Sequence, residues 1–158
     1  MEEAACLQLA HRMASLQPSA TLAMAARAGA MKASGIDVID LSVGEPDFPT
    51  PEHICEAGKA AITAGKTKYT PAAGIPALRE AIAKDYTRRS GLPVTPAHVI
   101  VSNGAKHSLH NVFTAVLNPG DEVIVPTPYW VSYAELIKLA GAKPILVETS
   151  IDEDFKLQ

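Results

Sequence analysis

Residues 98–149 alternate between strand-like and helical patterns, and the turns between them are short and rich in glycine and proline. HVIVSN, DEVIVP and KPILVET are strand-like, and each of the two segments between them carries a helical apolar stripe. Strands and helices that alternate in this way favour parallel strands covered by helices. We therefore expect an α/β fold with a three-layer, mostly parallel sheet covered by helices.

The part of the chain before residue 98 has a helical character with one strand-like segment. A helix is predicted over residues 19–34, and the apolar alternation of residues 36–43 indicates a short strand. After a proline-rich loop, Thr50 is the expected N-cap of a second helix. A third amphipathic helix is predicted over residues 75–90.

The charge pattern argues against several classes of partner. The chain has 158 residues, of which 47% are hydrophobic, and a formal net charge of -3 without a long block of one sign. It therefore lacks the basic surface expected for nucleic acid or an anionic membrane. The N-terminus MEEAACLQLA is acidic where a secretory signal would be basic, and no stretch reaches the roughly 20 apolar residues that span a bilayer. We expect a soluble, cytoplasmic protein with free thiols at Cys6 and Cys55.

The segment Asn103-Gly104-Ala105-Lys106 connects a predicted strand directly to a predicted helix. The first amides of a helix have no intrahelical acceptor and carry partial positive charge, so they attract phosphate groups. Gly104 would let the chain approach such a ligand closely, and Lys106 would add a full positive charge. The segment has neither of the two common glycine-rich phosphate motifs, and an ordinary strand-to-helix turn explains it equally well.

Trp130 follows the next predicted strand, at the sheet edge where α/β proteins collect ligands. It is the only tryptophan, and its flat face is suited to stacking on a heteroaromatic ring. Packing in the core is the simpler explanation when Trp130 is taken alone. The prolines on either side of Thr127 indicate a constrained turn, in which a cis or a trans Thr127–Pro128 bond is open.

His107 and His110 lie three residues apart on a predicted helix, which is a spacing that a metal pair can have. No third ligand stands at a suitable spacing, so surface or packing roles are favoured and we expect no metal site. The carboxylates of Asp37 and Asp40 lie near turns and strand ends, where solvated acids are common. We assign them no acid–base role.

Four segments of the chain, taken in order, carry a family resemblance: LSVGEPDFPTP, KTKYTPAAGIPALREAIA, VIVSNGAKHSLHNVF and NPGDEVIVPTPYWVSY. They resemble the fold-type I, class I and II aminotransferases that depend on pyridoxal phosphate, and are most similar to the bacterial-type aspartate aminotransferase subgroup. The resemblance covers nearly the whole chain. It implies an N-terminal arm and small-domain segment over residues 1–50 and the first part of the cofactor-binding large domain over residues 51–158.

The resemblance also implies roles for particular residues. Three would lie at the phosphate of pyridoxal phosphate: Gly104, Ala105 and Lys106. Trp130 would stack on the pyridine ring and border the substrate, and the backbone of Gly44 would approach the substrate α-carboxylate. Tyr69 would reach across a homodimer interface to the cofactor phosphate of the neighbouring subunit, although KYTPAAG by itself also fits an exposed loop tyrosine.

The implied reaction moves an amino group between an amino acid, aspartate being expected, and a 2-oxo acid. Family members carry, further along their chains, an aspartate at the ring nitrogen, the lysine that forms the Schiff base, and an arginine for the substrate carboxylate. No lysine of this sequence stands in the matching motif, so we assign no catalytic residue. Aromatic amino acids, alanine and prephenate are alternatives to aspartate.

Two other functions stay open. One is a non-catalytic, truncated remnant that binds the cofactor phosphate weakly or pairs with a full-length homologue through the Tyr69 face. The other is a Rossmann-type nucleotide-binding module, which fits the alternation but lacks the glycine fingerprint. In the isolated chain, residues 143–148 would form an unprotected edge strand, and we expect low solubility or self-association.

Overall fold

The computed structural model describes residues 8–158. Contacts divide the chain into two compact units. The first unit comprises the described residues up to Val43 together with Gly104–Gln158, and the second unit comprises Gly44–Asn103. Cys6, one of the two predicted free thiols, lies outside the described residues, whereas Cys55 is an exposed free thiol.

Helices and two strands make up the regular structure of residues 8–158. In chain order they are α1 (Ala20–Ala33), α2 (Glu52–Thr63), α3 (Pro76–Ser90), α4 (Ala105–Val116), β1 (Glu122–Thr127), α5 (Ser132–Leu139) and β2 (Lys143–Glu148). Short 3-10 helices occur at His11–Ser15, Pro96–His98 and Ile151–Glu153. No helix within the described range is long and apolar enough to cross a membrane.

β1 and β2 form a two-stranded parallel sheet in the first unit, and α5 connects them. The register pairs Glu122 with Lys143 at one end and Thr127 with Glu148 at the other. The core contains three buried residues with four partly buried neighbours: Val125, Ile137 and Ala142, with Phe113, Leu117, Val123 and Tyr129. The parallel strand–helix–strand arrangement predicted from the sequence is confirmed here.

Local capping chemistry sets the ends of α1 and α3. The Ser19 hydroxyl oxygen accepts a hydrogen bond from the Leu22 N–H at 3.3 Å, and it thereby caps one of the first amides of α1. Gly91 has a φ of 73°, in the left-handed region, and ends α3 where a side chain would be strained. Both helices lie where the sequence predicts them.

The prediction that Thr50 is the N-cap of α2 is wrong. α2 begins at Glu52, and Pro51 is its N-cap, without a side-chain hydrogen bond. The reason is that the Pro51 carbonyl already accepts the first helical bond, from the Cys55 N–H at 3.1 Å. Proline tolerates this place because it has no N–H to leave unsatisfied.

The strands predicted at residues 36–43 and 98–103 are also wrong, because neither segment forms a strand in the structure. A strand requires a ladder of hydrogen bonds to a neighbour. In the second of these segments, the Val101 N–H donates to the Ala73 carbonyl at 3.0 Å, which is a single long-range hydrogen bond and not a ladder. Val99 keeps the extended φ of -115° and ψ of 127°, so the alternation predicted the local backbone but not the pairing.

α3 fixes the following segment of the second unit through Arg79. The Arg79 Nε donates to the Val99 carbonyl at 2.9 Å, and a terminal guanidinium nitrogen donates to the Pro96 carbonyl. Gly74, with a φ of 102°, lies directly against Val101. A Cβ on Gly74 would lie 2.5 Å from the Val101 Cγ2 and 2.7 Å from its Cβ. Val101 can therefore approach this closely only because Gly74 has no side chain.

β2 exposes apolar side chains on an edge of the sheet. Ile145 is 38% exposed and Leu146 is 54% exposed. Within the described residues, β2 pairs on one side, with β1. Exposed edges of this kind favour pairing with other chains, and the self-association expected of the isolated chain stays a prediction.

Replacing Gly74 should destabilise the second unit, whereas the same change in a helix should not. We expect Gly74→Ala to lower the free energy of unfolding by about 2–4 kcal/mol, because it adds backbone strain and a clash with the stiff Val101 side chain. Gly58 lies inside α2 with no atom within 4 Å of an added Cβ, so Gly58→Ala should raise it by about 0.5–1 kcal/mol. Urea unfolding of both variants checks this, and equal effects would contradict it.

Candidate cofactor site

α4 begins at the segment predicted to bind phosphate. Gly104 is its N-cap, with φ of 84° and ψ of 166°, and an added Cβ would meet no atom within 4 Å. The Gly104 carbonyl accepts from the N–H groups of His107 at 3.1 Å and Ser108 at 3.3 Å. The amides of Ala105 and Lys106 come earlier, and helix geometry gives them no carbonyl one turn behind. The positive end of α4 is thus exposed and unobstructed, as a phosphate cradle requires.

Lys106 and Trp130 lie together in the first unit. The Lys106 Nζ is 5.5 Å from the centroid of the Trp130 ring, within the range of a cation–π contact. Trp130 follows β1, after a Thr127–Pro128 peptide bond that is cis. Its side chain is 43% exposed, so packing in the core does not explain this residue. The ring is available to a ligand at the surface, two residues before α5 begins.

A cavity of about 370 Å³ lies beside Lys106. Its volume is suited to a small molecule. Its walls come from the chain before α1, the start of α4, the turn after β1 and α5: Gln17, Pro18, Ser19, Ala20, Lys106, Tyr129, Val131, Ser132, Glu135 and Leu136. Lys106 brings a positive charge to this cavity, and Ser132 and Glu135 bring polar groups.

Glu135 joins two parts of the cavity wall. Its Oε2 accepts a hydrogen bond from the Gln17 N–H at 3.0 Å, and its Oε1 accepts one from the Lys138 Nζ at 2.8 Å. These bonds lower the pKa of the Glu135 carboxyl below its ordinary value, Lys138 being the main cause, while partial burial opposes the shift. The carboxylate is therefore held in its charged form.

A larger cavity, of about 630 Å³, lies between α1 and residues 38–42 and is lined mostly by apolar side chains. Its one carboxylate, Asp40, accepts a hydrogen bond from the Ser42 hydroxyl at 2.6 Å and from the Ser42 N–H at 3.0 Å. These bonds lower the Asp40 pKa, with a smaller contribution from Lys32. Arg27 also lines this cavity, but no aromatic ring of residues 8–158 does, which distinguishes it from the cavity beside Lys106, where Tyr129 lies.

Gly44 and Tyr69 belong to the second unit. Gly44 is exposed, and a Cβ on it would meet no atom within 4 Å. Tyr69 is fully exposed, with a relative exposure of 108%, in the loop that follows α2. The structure thus brings Gly104, Ala105, Lys106 and Trp130 together in the first unit, and leaves Gly44 and Tyr69 as solvent-facing positions of the second.

The model of the family "Aminotransferase class I and II" matches residues 36–158. The chain belongs to this family. It is 53% identical over 147 residues to a probable aspartate/prephenate aminotransferase of Thermus aquaticus and 54% identical over 151 residues to an aspartate aminotransferase of Geobacillus stearothermophilus. These matches cover 93% and 96% of this chain but 38% of each relative. The chain therefore spans less than half the length of these aminotransferases.

A solved structure of the aspartate aminotransferase from Thermus thermophilus with maleate matches the fold with a TM-score of 0.92. The sequences are 49% identical, and the match covers 97% of this chain and 40% of that one. This likeness confirms the predicted α/β class, as part of a fold-type I aminotransferase. The roles expected of Gly44, Tyr69, Gly104, Lys106 and Trp130 stay predictions.

Some residues of the candidate site escaped the sequence reasoning. Gln17 and Glu135 line the cavity although 118 positions separate them, and no local pattern connects them. Tyr129 could have been found from the sequence, because it is adjacent to Trp130 in a segment of proline and aromatic residues. Among residues 8–158, no group of three or more histidine, cysteine or acidic side chains is placed to hold a metal ion.

The charge of Glu135 should make part of the stability depend on pH. Because its pKa is lowered in the folded state, its contribution is present above the ordinary glutamate pKa and is lost as pH falls through the lowered value. We expect the wild-type chain to melt about 2 °C higher than Glu135→Gln at pH 6, and this difference to vanish as pH falls through the lowered pKa of Glu135. Thermal melts followed by circular dichroism check this. A difference that persists at low pH would contradict it.

Proposed function

We propose that this chain forms part of an enzyme that moves an amino group between an amino acid and a 2-oxo acid with pyridoxal phosphate. The observation that carries the proposal is the exposed N-terminus of α4 next to the Lys106–Trp130 pair. Such a site offers backbone donors, a cation and an aromatic face within one unit. These are the groups that a phosphorylated heteroaromatic ring requires.

The phosphate is proposed to lie at the start of α4. The amides of Ala105 and Lys106 would donate to its oxygens, and the helix dipole would add favourable electrostatics. Gly104 supports this role, because its left-handed φ turns the chain into the helix and no side chain fills the approach. The Lys106 ammonium would supply the full positive charge.

The pyridine ring is proposed to stack on Trp130. When bound, pyridoxal phosphate supplies the electron sink that stabilises a carbanion at the substrate α-carbon. Trp130 would hold the ring plane in a fixed orientation, and its exposed face supports this role. The backbone of Gly44 would donate to the substrate α-carboxylate, a role supported by the open space around its Cα.

Aspartate is the proposed amino acid. Relatives of this chain are named aspartate or aspartate/prephenate aminotransferases, and the Thermus thermophilus enzyme was solved with maleate, a dicarboxylate. We propose further that the protein works in the cytoplasm as a homodimer, in which the fully exposed Tyr69 reaches the phosphate of the neighbouring subunit.

An absorbance titration tests the proposal. The purified chain is mixed with pyridoxal phosphate, and aspartate is then added, with inorganic phosphate as a competitor. Saturable changes in the cofactor band that phosphate competes away are expected for a phosphate site at α4. Conversion of the cofactor to pyridoxamine phosphate on adding aspartate, faster than with free pyridoxal phosphate, would mean that this chain takes part in the chemistry. Cofactor binding without a response to aspartate would favour the non-catalytic alternative, and no binding at all would contradict both.

Two substitutions separate the charge of the site from its aromatic face. We expect Lys106→Met and Trp130→Leu each to weaken pyridoxal phosphate binding about tenfold or more, because one removes a charge-assisted bond and the other a stacking face. Absorbance titrations measure the dissociation constants, because Trp130→Leu removes the only tryptophan and with it the indole fluorescence. The affinity for inorganic phosphate should fall in Lys106→Met but not in Trp130→Leu.

Lys143→Met is the matched control for these variants. Lys143 lies in the same unit and carries the same charge, but it pairs with Glu122 at the opposite end of the sheet from Trp130. Its affinity for the cofactor should stay within about twofold of wild type, since exposed charges act weakly at a distance. Equal losses in all three variants would show that the effect is general and not a property of the site.

A further inference from the structure

A hydrogen bond between Gln17 and Glu135 joins the chain before α1 to α5. The Gln17 N–H donates to the Glu135 Oε2 at 3.0 Å, across 118 residues of sequence. The other oxygen, Oε1, accepts from the Lys138 Nζ at 2.8 Å, from the same helix. One carboxylate oxygen therefore holds the distant segment, while the second fixes the orientation of the carboxylate.

This bond has no substitute among the described residues. The 3-10 helix His11–Ser15 packs against α5, but no other hydrogen bond or ion pair is formed between residues 8–19 and α5 within the described part of the chain. Pro18 follows Gln17 and has no N–H to donate. Without Glu135, apolar packing alone would hold the segment that leads to Ser19, the N-cap of α1.

The same segment forms one wall of the cavity beside Lys106. Residues 17–20 stand on one side, and Tyr129, Ser132 and Glu135 stand on another. The side chain of Glu135 is 28% exposed, and its bond to Lys138 is partly buried, whereas its bond to the Gln17 N–H is exposed to water. The hydrogen bond between Gln17 and Glu135 therefore joins the two groups of residues that line the cavity.

We propose that Glu135 is a positioning residue, whose carboxylate fixes residues 17–20 as the wall of the cavity that receives the amino-acid part of the substrate. The inference rests on the proposed function in assigning this cavity to the substrate. Glu135 acts through the Gln17 backbone and does not touch the reacting atoms. Its contribution therefore belongs to substrate binding and not to retention of the cofactor.

The first experiment measures the position of the wall without a ligand. Amide hydrogen exchange of the peptide that contains Gln17 is compared in the wild-type chain and in three variants: Glu135→Ala, Glu135→Gln and Lys138→Gln. Loss of the acceptor in Glu135→Ala should speed exchange of the Gln17 amide about tenfold. Glu135→Gln keeps an oxygen acceptor and should restore most of the protection. Lys138→Gln keeps the bond to Gln17 and should stay within about twofold of wild type.

The second experiment measures how the position of residues 17–20 affects the affinity for ligands. Two probes are titrated into each variant: pyridoxal phosphate, and its reduced adduct with aspartate, N-phosphopyridoxyl-aspartate. Glu135→Ala should weaken the adduct about tenfold and change the affinity for pyridoxal phosphate less than twofold. Glu135→Gln should recover most of the adduct affinity. A merely structural role would move both ligands together.

The two experiments fail in different ways. Unchanged exchange at Gln17 in Glu135→Ala overturns the inference, as does an equal loss of affinity for both probes. Failure of the wild-type chain to bind either probe overturns the proposed function and with it the substrate role of the wall, while hydrogen exchange still decides whether Glu135 holds the segment. Should Glu135→Ala unfold, Glu135→Met takes its place in both experiments, because it also removes the hydrogen-bond acceptor but keeps the length of the side chain and a good helix former.

Discussion

The packing of Ile137 against the parallel strand pair is the interaction on which the rest of the first unit depends. Ile137 is 1% exposed and contacts the group that contains Val125 and Ala142, so α5 is fixed on β1 and β2. Burial of one such side chain is worth roughly 1.5–3 kcal/mol. The turn that carries Trp130 connects the end of β1 to the start of α5, and both of its ends are therefore held by the core. Trp130 can remain exposed to a ligand because its position does not depend on its own burial.

The anion site that we propose at α4 follows from a different principle, since the backbone would supply most of its donors. Amides at the start of a helix are oriented by the helix itself, and they carry no desolvation cost comparable to that of a buried charge. One residue, Gly104, is enough to turn the chain into the helix at the required angle. On the proposed function, side chains add selectivity, Lys106 through its charge and Trp130 through its ring. A site of this kind needs few chemically distinctive residues.

These two principles explain what the sequence could predict. The strand–helix–strand arrangement of residues 121–149, the ends of α1 and α3 and the start of α4 after Gly104 all depend on local patterns, and the structure follows them. The strands expected at residues 36–43 and 98–103 fail because a ladder depends on a neighbour, which a local alternation does not specify. Thr50 is not the N-cap because Pro51 takes that position, where its carbonyl accepts the first helical hydrogen bond. The cavity wall is beyond local reasoning altogether, because its defining bond joins Gln17 to Glu135.

The Lys106 ammonium can contact the Trp130 ring or a bound phosphate, and the free energies of these two contacts decide which one it makes. Its ammonium lies over the Trp130 ring, in a contact worth roughly 0.5–1 kcal/mol at an exposed site. A charge-assisted hydrogen bond to a phosphate oxygen is worth about 1.5–3 kcal/mol, which is the stronger interaction. On the proposed function, the ammonium therefore leaves the ring when a phosphate arrives at α4, and its flexible stem permits the movement. The same movement clears an aromatic face for the pyridine ring, so that phosphate binding and ring stacking favour each other.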